Sequence, residues 1–179
     1  MAMTLITTNT VSNAASSAIT SGIDSTYKLY IFKFININPA TDDVNFTFNG
    51  SDDTSSHSYD ITKTTTYFDA QHTEAGGSEA LNYKTGHDLA QATGYQNLAY
   101  ELGNGADESF SGQLWLFNPS GTTYAKHFYT VANYYHSGDQ STNPYVAGYF
   151  NTTAAITALD FKMSSGNIDE GTIYMYGVS

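Results

Sequence analysis

Apolar side chains recur at every second position along most of this chain, and this period of two constrains the fold more than any other feature. Residues 43–50 place Val44, Phe46 and Phe48 on one side, and residues 156–166 repeat the pattern with Leu159 and Phe161. Such alternation is typical of strands that bury one face. Turn-forming clusters interrupt it about every 8 to 15 residues. We therefore predict an all-β fold, an antiparallel, jelly-roll-like β-sandwich of about eight to ten strands.

Two segments near the start of the chain predict a local pairing. Residues 27–37 are apolar on both faces, which is typical of a central strand. The turn-like NPATDD sequence separates them from residues 43–50, so the two segments predict an antiparallel hairpin. Residues 74–94 have the least regular pattern, and we expect them to be mostly loop.

The length of 179 residues predicts one domain. Residues 1–20 differ from the rest, being small, polar and rich in Ser, Thr and Ala. They are expected to form either an arm that adds to a neighbour's sheet or a first strand with a linker. Residues 21–179 are expected to form a single β-sandwich domain.

The charge balance excludes several classes of partner. Six Lys and Arg stand against 17 Asp and Glu, which leaves a formal net charge of −11. A nucleic-acid surface needs clustered cations, and so does attraction to anionic lipids, so neither partner is expected. No run approaches the roughly 20 apolar residues of a membrane span. The first residues lack the features of a secretory signal and are expected to belong to the mature protein.

Residues that could carry chemistry are scattered. The five histidines (His57, His72, His87, His127 and His136) are too far apart in sequence to form a typical zinc pair, and the chain has no cysteine. The acidic loops are ordinary turn sequences. No glutamates pair at strand spacing, no G-x-S-x-G motif occurs and no phosphate-binding glycine loop is present. We therefore predict no metal, no cofactor and no enzymatic activity.

The abundant tyrosines are the remaining candidates for a site. Tyr side chains serve in protein interfaces and in sugar-stacking platforms, and they are also common within sheets. Alternation in the last strand places Ile173 and Met175 towards the core and two tyrosines on the opposite face. The candidate interface or binding residues are Tyr134, Tyr135, Tyr145, Tyr149, Tyr174 and Tyr176.

Three stretches carry a resemblance to a known group of proteins. They are SGIDSTYKLYIFKFININPATDDVNFTFN at the front, ELGNGADESFSGQLWLFNPSGTTYAKHF in the middle and GYFNTTAAITALDFKMSSGNIDEGTIYMYGVS at the back. Together they resemble small β-rich virion proteins encoded by marine tailed bacteriophages, cyanophages among them. The resemblance covers roughly residues 16–179 and consists of strand and turn patterns rather than catalytic motifs.

This resemblance implies a structural role in the virion, after assembly in the cytoplasm of a bacterial host. The implied partners are the major capsid protein or other virion proteins, with several copies associating on the particle. A tail fibre usually has a shaft, and heptads are absent here. We therefore expect a decoration or knob protein on the outside of the capsid. The alternative is a tail-associated or tail-fibre-tip module that binds a host glycan.

Overall fold

The computed structural model describes residues 2–179 and contains β-strands without any α-helix in that range. All strand pairings are antiparallel, which confirms the predicted fold class. The number of strands is twelve rather than eight to ten, because the polar N-terminal segment forms two strands and a short one lies within the predicted loop 74–94. The strands are β1 (Met3–Ala14), β2 (Ser17–Ile19), β3 (Leu29–Pro39), β4 (Val44–Ser51), β5 (Lys63–Thr73), β6 (Ala80–Tyr83), β7 (Gln96–Leu102), β8 (Phe110–Phe117), β9 (Lys126–His136), β10 (Gln140–Phe150), β11 (Ala158–Met163) and β12 (Ile168–Val178).

The strands form two layers. The long layer has the order β1-β12-β3-β8-β9-β10-β5-β6, and the short layer has the order β2-β11-β4-β7. A single residue pair, Leu102 with His136, links β7 of the short layer to β9 of the long one. The two layers therefore pack as a sandwich that is joined along one side.

The connectivity is that of a jelly roll, as predicted. β1 pairs with β12, β2 with β11, β3 with β8 and β4 with β7, so the first third of the chain forms an antiparallel ribbon with later strands. This ribbon wraps round so that β12 also pairs with β3, and β11 with β4. Strands β5, β6, β9 and β10 are additions that extend the long layer beyond β8.

The predicted hairpin between residues 27–37 and 43–50 is wrong. β3 pairs with β12 and β8, whereas β4 pairs with β11 and β7 in the other layer. The turn at residues 40–43 therefore crosses from one layer to the other. Alternation correctly predicted that Val44, Phe46 and Phe48 are buried. Thr47 and Asn49 on the opposite face of β4 were expected to point outward, but they are buried too. Alternation also carries no information about which strands are neighbours.

Aromatic rings fill the core between the layers. Phe34, Phe46, Phe110 and Phe161 are fully buried, and their ring centroids lie 5.1 to 6.3 Å apart in mostly tilted or edge-to-face contacts. The expected inward positions of β4 and β11 are buried as predicted.

The N-terminal strands β1 and β2 pair within this chain. β1 runs along β12 from the Met3–Val178 pair to the Ala14–Ile168 pair, and β2 pairs with β11. In this structure these strands belong to the chain's own sandwich. β12 consequently lies between β1 and β3, inside the long layer.

Candidate interaction surface

The outer face of the long layer carries large aromatic side chains on five of its strands, β12, β8, β9, β10 and β5, while β3 between β12 and β8 contributes aliphatic side chains and Lys33. We call this surface the aromatic face. The cross-strand register places Tyr176, Ile31, Trp115, Tyr129 and Ala147 in one row across β12, β3, β8, β9 and β10. Its aromatic members are Phe68, Trp115, Phe117, Tyr129, Tyr145, Tyr149, Tyr174 and Tyr176.

The rings of the aromatic face pack against one another. Trp115 and Tyr129 are stacked with centroids 5.5 Å apart and an interplanar angle of 16°. Phe68 and Tyr145 are stacked at 5.1 Å and 6°. Each ring in these pairs covers one face of its partner, which leaves less ring surface free for stacking by an outside molecule. Ile31, which lies in the row between Tyr176 and Trp115, is only 3% exposed.

The aromatic face is also nearly free of charge in a strongly acidic protein. None of the 17 Asp and Glu residues lies in β1, β3, β8, β9 or β10, and the one carboxylate of β5, Asp69, is fully buried. The only carboxylates of β12 are Asp169 and Glu170, which lie at the start of the strand, before Tyr174 and Tyr176. The one charged side chain in the middle of the face is Lys33, whose Nζ lies 5.4 Å from the centroid of the Tyr176 ring.

A shallow groove lies at one side of the aromatic face. Its volume is about 390 Å³, and it runs between β8, β9, β10 and the start of β5. The walls are aromatic and the floor contains small side chains and threonines. The lining residues on the outer side are Thr64, Thr66, Phe117, His127, Tyr129, Ala147 and Tyr149.

Four of the six candidate tyrosines lie on the aromatic face. Tyr174 and Tyr176 are half-buried with ring centroids 6.3 Å apart, and Tyr145 is 38% exposed. Tyr149 lines the groove. The predicted orientation of β12 is confirmed, because Ile173 and Met175 on its other face are fully buried.

The other two candidate tyrosines lie elsewhere. Tyr134 is 1% exposed and packs in the core against Phe110, so its ring is not available to a partner or a sugar. Tyr135 lies at the far end of β9 in a polar cleft with Glu74 and Asp107. Hydrogen bonding to Glu74 and then burial raise the pKa of Tyr135 to about 12. The YYH sequence therefore contributes one core residue and one residue of a separate acidic end.

Sequence reasoning did not select four members of the aromatic face, namely Phe68, Trp115, Phe117 and Tyr129. The signal for two of them was present, because alternation in β8 sets Trp115 and Phe117 opposite the buried Leu114 and Leu116. Counting carboxylates strand by strand would have pointed to the same surface.

Charged side chains elsewhere form isolated pairs. Glu101 accepts from His136 Nε2 at 2.8 Å and Glu79 from His72 Nε2 at 3.2 Å. Within residues 2–179, no group of three or more His, Asp or Glu side chains is arranged to hold a metal ion. That same range contains no helix capable of crossing a membrane.

No protein-family model matches this chain, and no curated protein matches it either.

Proposed function

We propose that this chain is a non-enzymatic structural protein of a bacteriophage virion, bound to the outside of the capsid as a decoration or knob protein through its aromatic face. The observation that carries this proposal is the concentration of aromatic side chains on a sheet face without carboxylates, in a chain of net charge −11. The resemblance of three sequence stretches to phage virion proteins supports the same role.

The physical case for an interface rests on solvation. An exposed sheet face normally carries charged and polar side chains, and a contiguous apolar patch marks a binding surface. Interfaces are enriched in Tyr, Trp and Phe and depleted in Asp and Glu at their centre. The aromatic face has this composition. It extends over five strands, which is wide enough for the roughly 800 Å² per partner of a standard interface.

The charge distribution supports one orientation on a partner. The remaining surface is acidic, so copies of the chain repel one another except where the uncharged face is presented. Contacts that bring the acidic surfaces of two molecules together are disfavoured, so docking by a face other than the aromatic face is less favourable. A protein with this arrangement would dock by the aromatic face and turn its acidic loops outward.

The jelly roll is compatible with this role and does not by itself establish it. Jelly rolls occur in viral capsid proteins and also in lectin domains. The fold is therefore compatible with both the capsid proposal and the glycan alternative. The residues on the surface are what distinguish the two functions.

The proposal is tested by composition and binding. Purified particles are analysed by quantitative mass spectrometry, and we expect this chain in many copies per particle. About six or twelve copies would move it to the tail, and absence from particles would overturn the proposal.

Variants of the aromatic face then test the mode of docking. Trp115→Ser with Tyr129→Ser, and separately Tyr174→Ser with Tyr176→Ser, should leave the fold intact but weaken binding to particles lacking this protein. Truncating a central aromatic residue of an interface typically costs about 2 kcal/mol or more. Tyr124→Ser is the matched control, because Tyr124 is 74% exposed in a loop outside this face. Normal occupancy by both double variants would place the interface elsewhere.

The alternative function is recognition of a host glycan by a tail-associated module. The observation that favours it is the groove lined by Phe117, His127, Tyr129 and Tyr149, since aromatic walls with nearby hydroxyls suit a pyranose ring. The stacked pairs on the rest of the face speak against a broad sugar platform, because their ring faces already cover each other.

A glycan array separates the two functions. Binding that disappears with Tyr149→Ala and survives Tyr174→Ala would favour a sugar site in the groove. Absence of binding across a wide array would remove this alternative and leave the capsid proposal untouched.

A further inference from the structure

A buried lysine contacts a buried asparagine side chain at one end of the sandwich. Lys63, the first residue of β5, and Asn49 of β4 are both fully buried. Lys63 Nζ donates to Asn49 Oδ1 at 2.6 Å and to the carbonyl oxygen of Ile61 at 2.8 Å. It also lies 5.6 Å from the centroid of the Phe150 ring.

The carboxamide of Asn49 is held in one orientation. Its Oδ1 also accepts the Gly50 backbone N–H at 2.8 Å, so two donors polarise the same carbonyl. Its Nδ2 donates to the carbonyl oxygens of Tyr59 and, at 2.9 Å, Thr93. When the Lys63 amine attacks, the Gly50 N–H remains as a donor to this oxygen and draws electron density from Cγ, which favours nucleophilic attack there.

A buried carboxyl lies beside the same amide. Asp160 of β11 is directly opposite Asn49 in the ladder, where side chains on one face lie about 4.5–5.5 Å apart at Cβ. Asp160 is 4% exposed, its Oδ2 accepts the Tyr95 hydroxyl at 2.9 Å, and its Oδ1 has no hydrogen-bond partner. Burial raises the pKa of this carboxyl towards the range in which a carboxyl can take up and release a proton.

The amine of Lys63 is suited to act as the nucleophile. Burial lowers its pKa to about 7, so much of the amine carries a free lone pair at neutral pH.

We propose that Lys63 and Asn49 join in an intramolecular isopeptide bond. Lys63 Nζ attacks Asn49 Cγ, the new Nζ–Cγ bond forms, and the Cγ–Nδ2 bond breaks. A proton passes from Nζ to Nδ2, with the Asp160 carboxyl as the relay, and Nδ2 leaves as ammonia. The step needs no oxidant or other reactant, and its product is a secondary amide between β4 and β5.

The bond would close residues 50–62 into a covalent loop. Its main part, residues 52–62, has no secondary structure and connects β4 of the short layer to β5 of the long layer. The cross-link would tie the short layer to the long one at the end opposite the β7–β9 contact. This inference is independent of the proposed function, and either can fail without the other.

Intact mass spectrometry tests the proposal. The mass of the purified chain should be about 17 Da below the mass calculated from its sequence. This difference is one ammonia, which leaves Asn49 when the lysine attacks. Trypsin should fail to cleave after Lys63, so residues 34–84 should appear as one peptide carrying the same deficit. Lys63→Met should restore the full mass, and Asp160→Asn should slow or prevent the loss.

Two comparisons keep the outcome unambiguous. Lys126→Met is the matched control, because Lys126 is equally buried but donates only to the carbonyls of Tyr124 and Thr152, so the deficit should persist. A cyclic imide at Asn49–Gly50 would also lose ammonia, but it would survive Lys63→Met and leave cleavage after Lys63 intact. That result, or a full sequence mass for the unmodified chain, would overturn the proposal.

Discussion

His87 illustrates how single residues organise a second, smaller cluster beside the main core. Its ring stacks on Tyr100 with centroids 4.4 Å apart, and its Nδ1 lies 2.8 Å from the Asn97 side-chain nitrogen. Lys84 Nζ lies 4.8 Å from the centroid of the same Tyr100 ring. Asn97 Nδ2 thus donates to the imidazole, and Lys84 is a nearby cation. Both features favour the neutral form of His87.

The environment of His87 predicts sensitivity to acid. Burial, followed by the charge of Lys84, lowers the pKa of His87 below its ordinary 6.5. As pH drops through 6.5, His87 becomes protonated in the unfolded chain but stays neutral in the folded chain. The free energy of unfolding should therefore fall over this range. Urea unfolding at pH 7.5 and pH 5 should show this fall reduced in His87→Gln. His127→Gln, at an exposed position, should retain the wild-type response, and an unchanged response in His87→Gln would contradict the prediction.

Gly177 gives a second prediction at the residue scale. It lies on the inner face of β12, where a Cβ would overlap the ring of Tyr27. Gly177→Ala should therefore lower the free energy of unfolding by about 1–3 kcal/mol, the usual cost of overpacking. Gly86→Ala adds a methyl in open space and should change it by less than about 0.5 kcal/mol. Equal effects of the two substitutions in urea titrations would refute this packing argument.

Among the elements, β12 and β1 are neighbours with unequal roles. β12 pairs on both sides, with β1 and with β3, whereas β1 pairs with β12 alone. β12 also supplies buried side chains to the main core, and most of β1 is exposed or half-buried. The outermost strand should therefore be more dispensable than the one it covers.

Truncations test this difference. Deleting residues 171–179 removes most of β12 and should abolish cooperative unfolding and the near-ultraviolet circular dichroism of packed aromatic rings. Deleting residues 2–8 removes part of an edge strand and should leave a folded chain of lower stability. If both truncations unfold the chain, β1 is as necessary as β12.

At this scale the sequence predicted faces better than partners. The inward positions of β4, β11 and β12 follow from alternation, because a strand that buries one face must place apolar side chains at every second residue. The position of β4 opposite β3, and the pairing of β1 with β12, depend on contacts between distant residues. Tyr134 was selected as a surface residue because alternation alone does not distinguish the inner from the outer face of an aromatic-rich strand such as β9.

For the whole molecule, the separation of charge from aromatic surface is the dominant property. Of the six lysines, Lys33, Lys63, Lys84 and Lys162 lie over aromatic rings, Lys63 and Lys126 are buried, and Lys28 is exposed. The acidic residues lie mainly in loops and at strand ends, while the aromatic face is left uncharged. At neutral pH the net negative charge of each copy weakens association of two copies through the aromatic face, although that face itself is uncharged.

This separation predicts self-association in mild acid. As pH approaches the sequence isoelectric point of about 4.4, carboxylate repulsion falls and the aromatic faces of two copies should meet. Light scattering should show a larger mean mass at pH 5 than at pH 7.5. The Trp115→Ser, Tyr129→Ser double variant should remain monomeric at both values, and association that persists in this variant would show that another surface is responsible.

The pairing of β1 with β12 also determines when the protein can fold during synthesis. β1 is made first, yet its ladder partner is made more than 150 residues later, as the separation between Ala14 and Ile168 shows. At about 5–20 residues per second, a ribosome takes many seconds to supply that partner. Until then the Thr-rich first strand has no sheet to join, and the jelly roll closes only after translation has delivered its final strand.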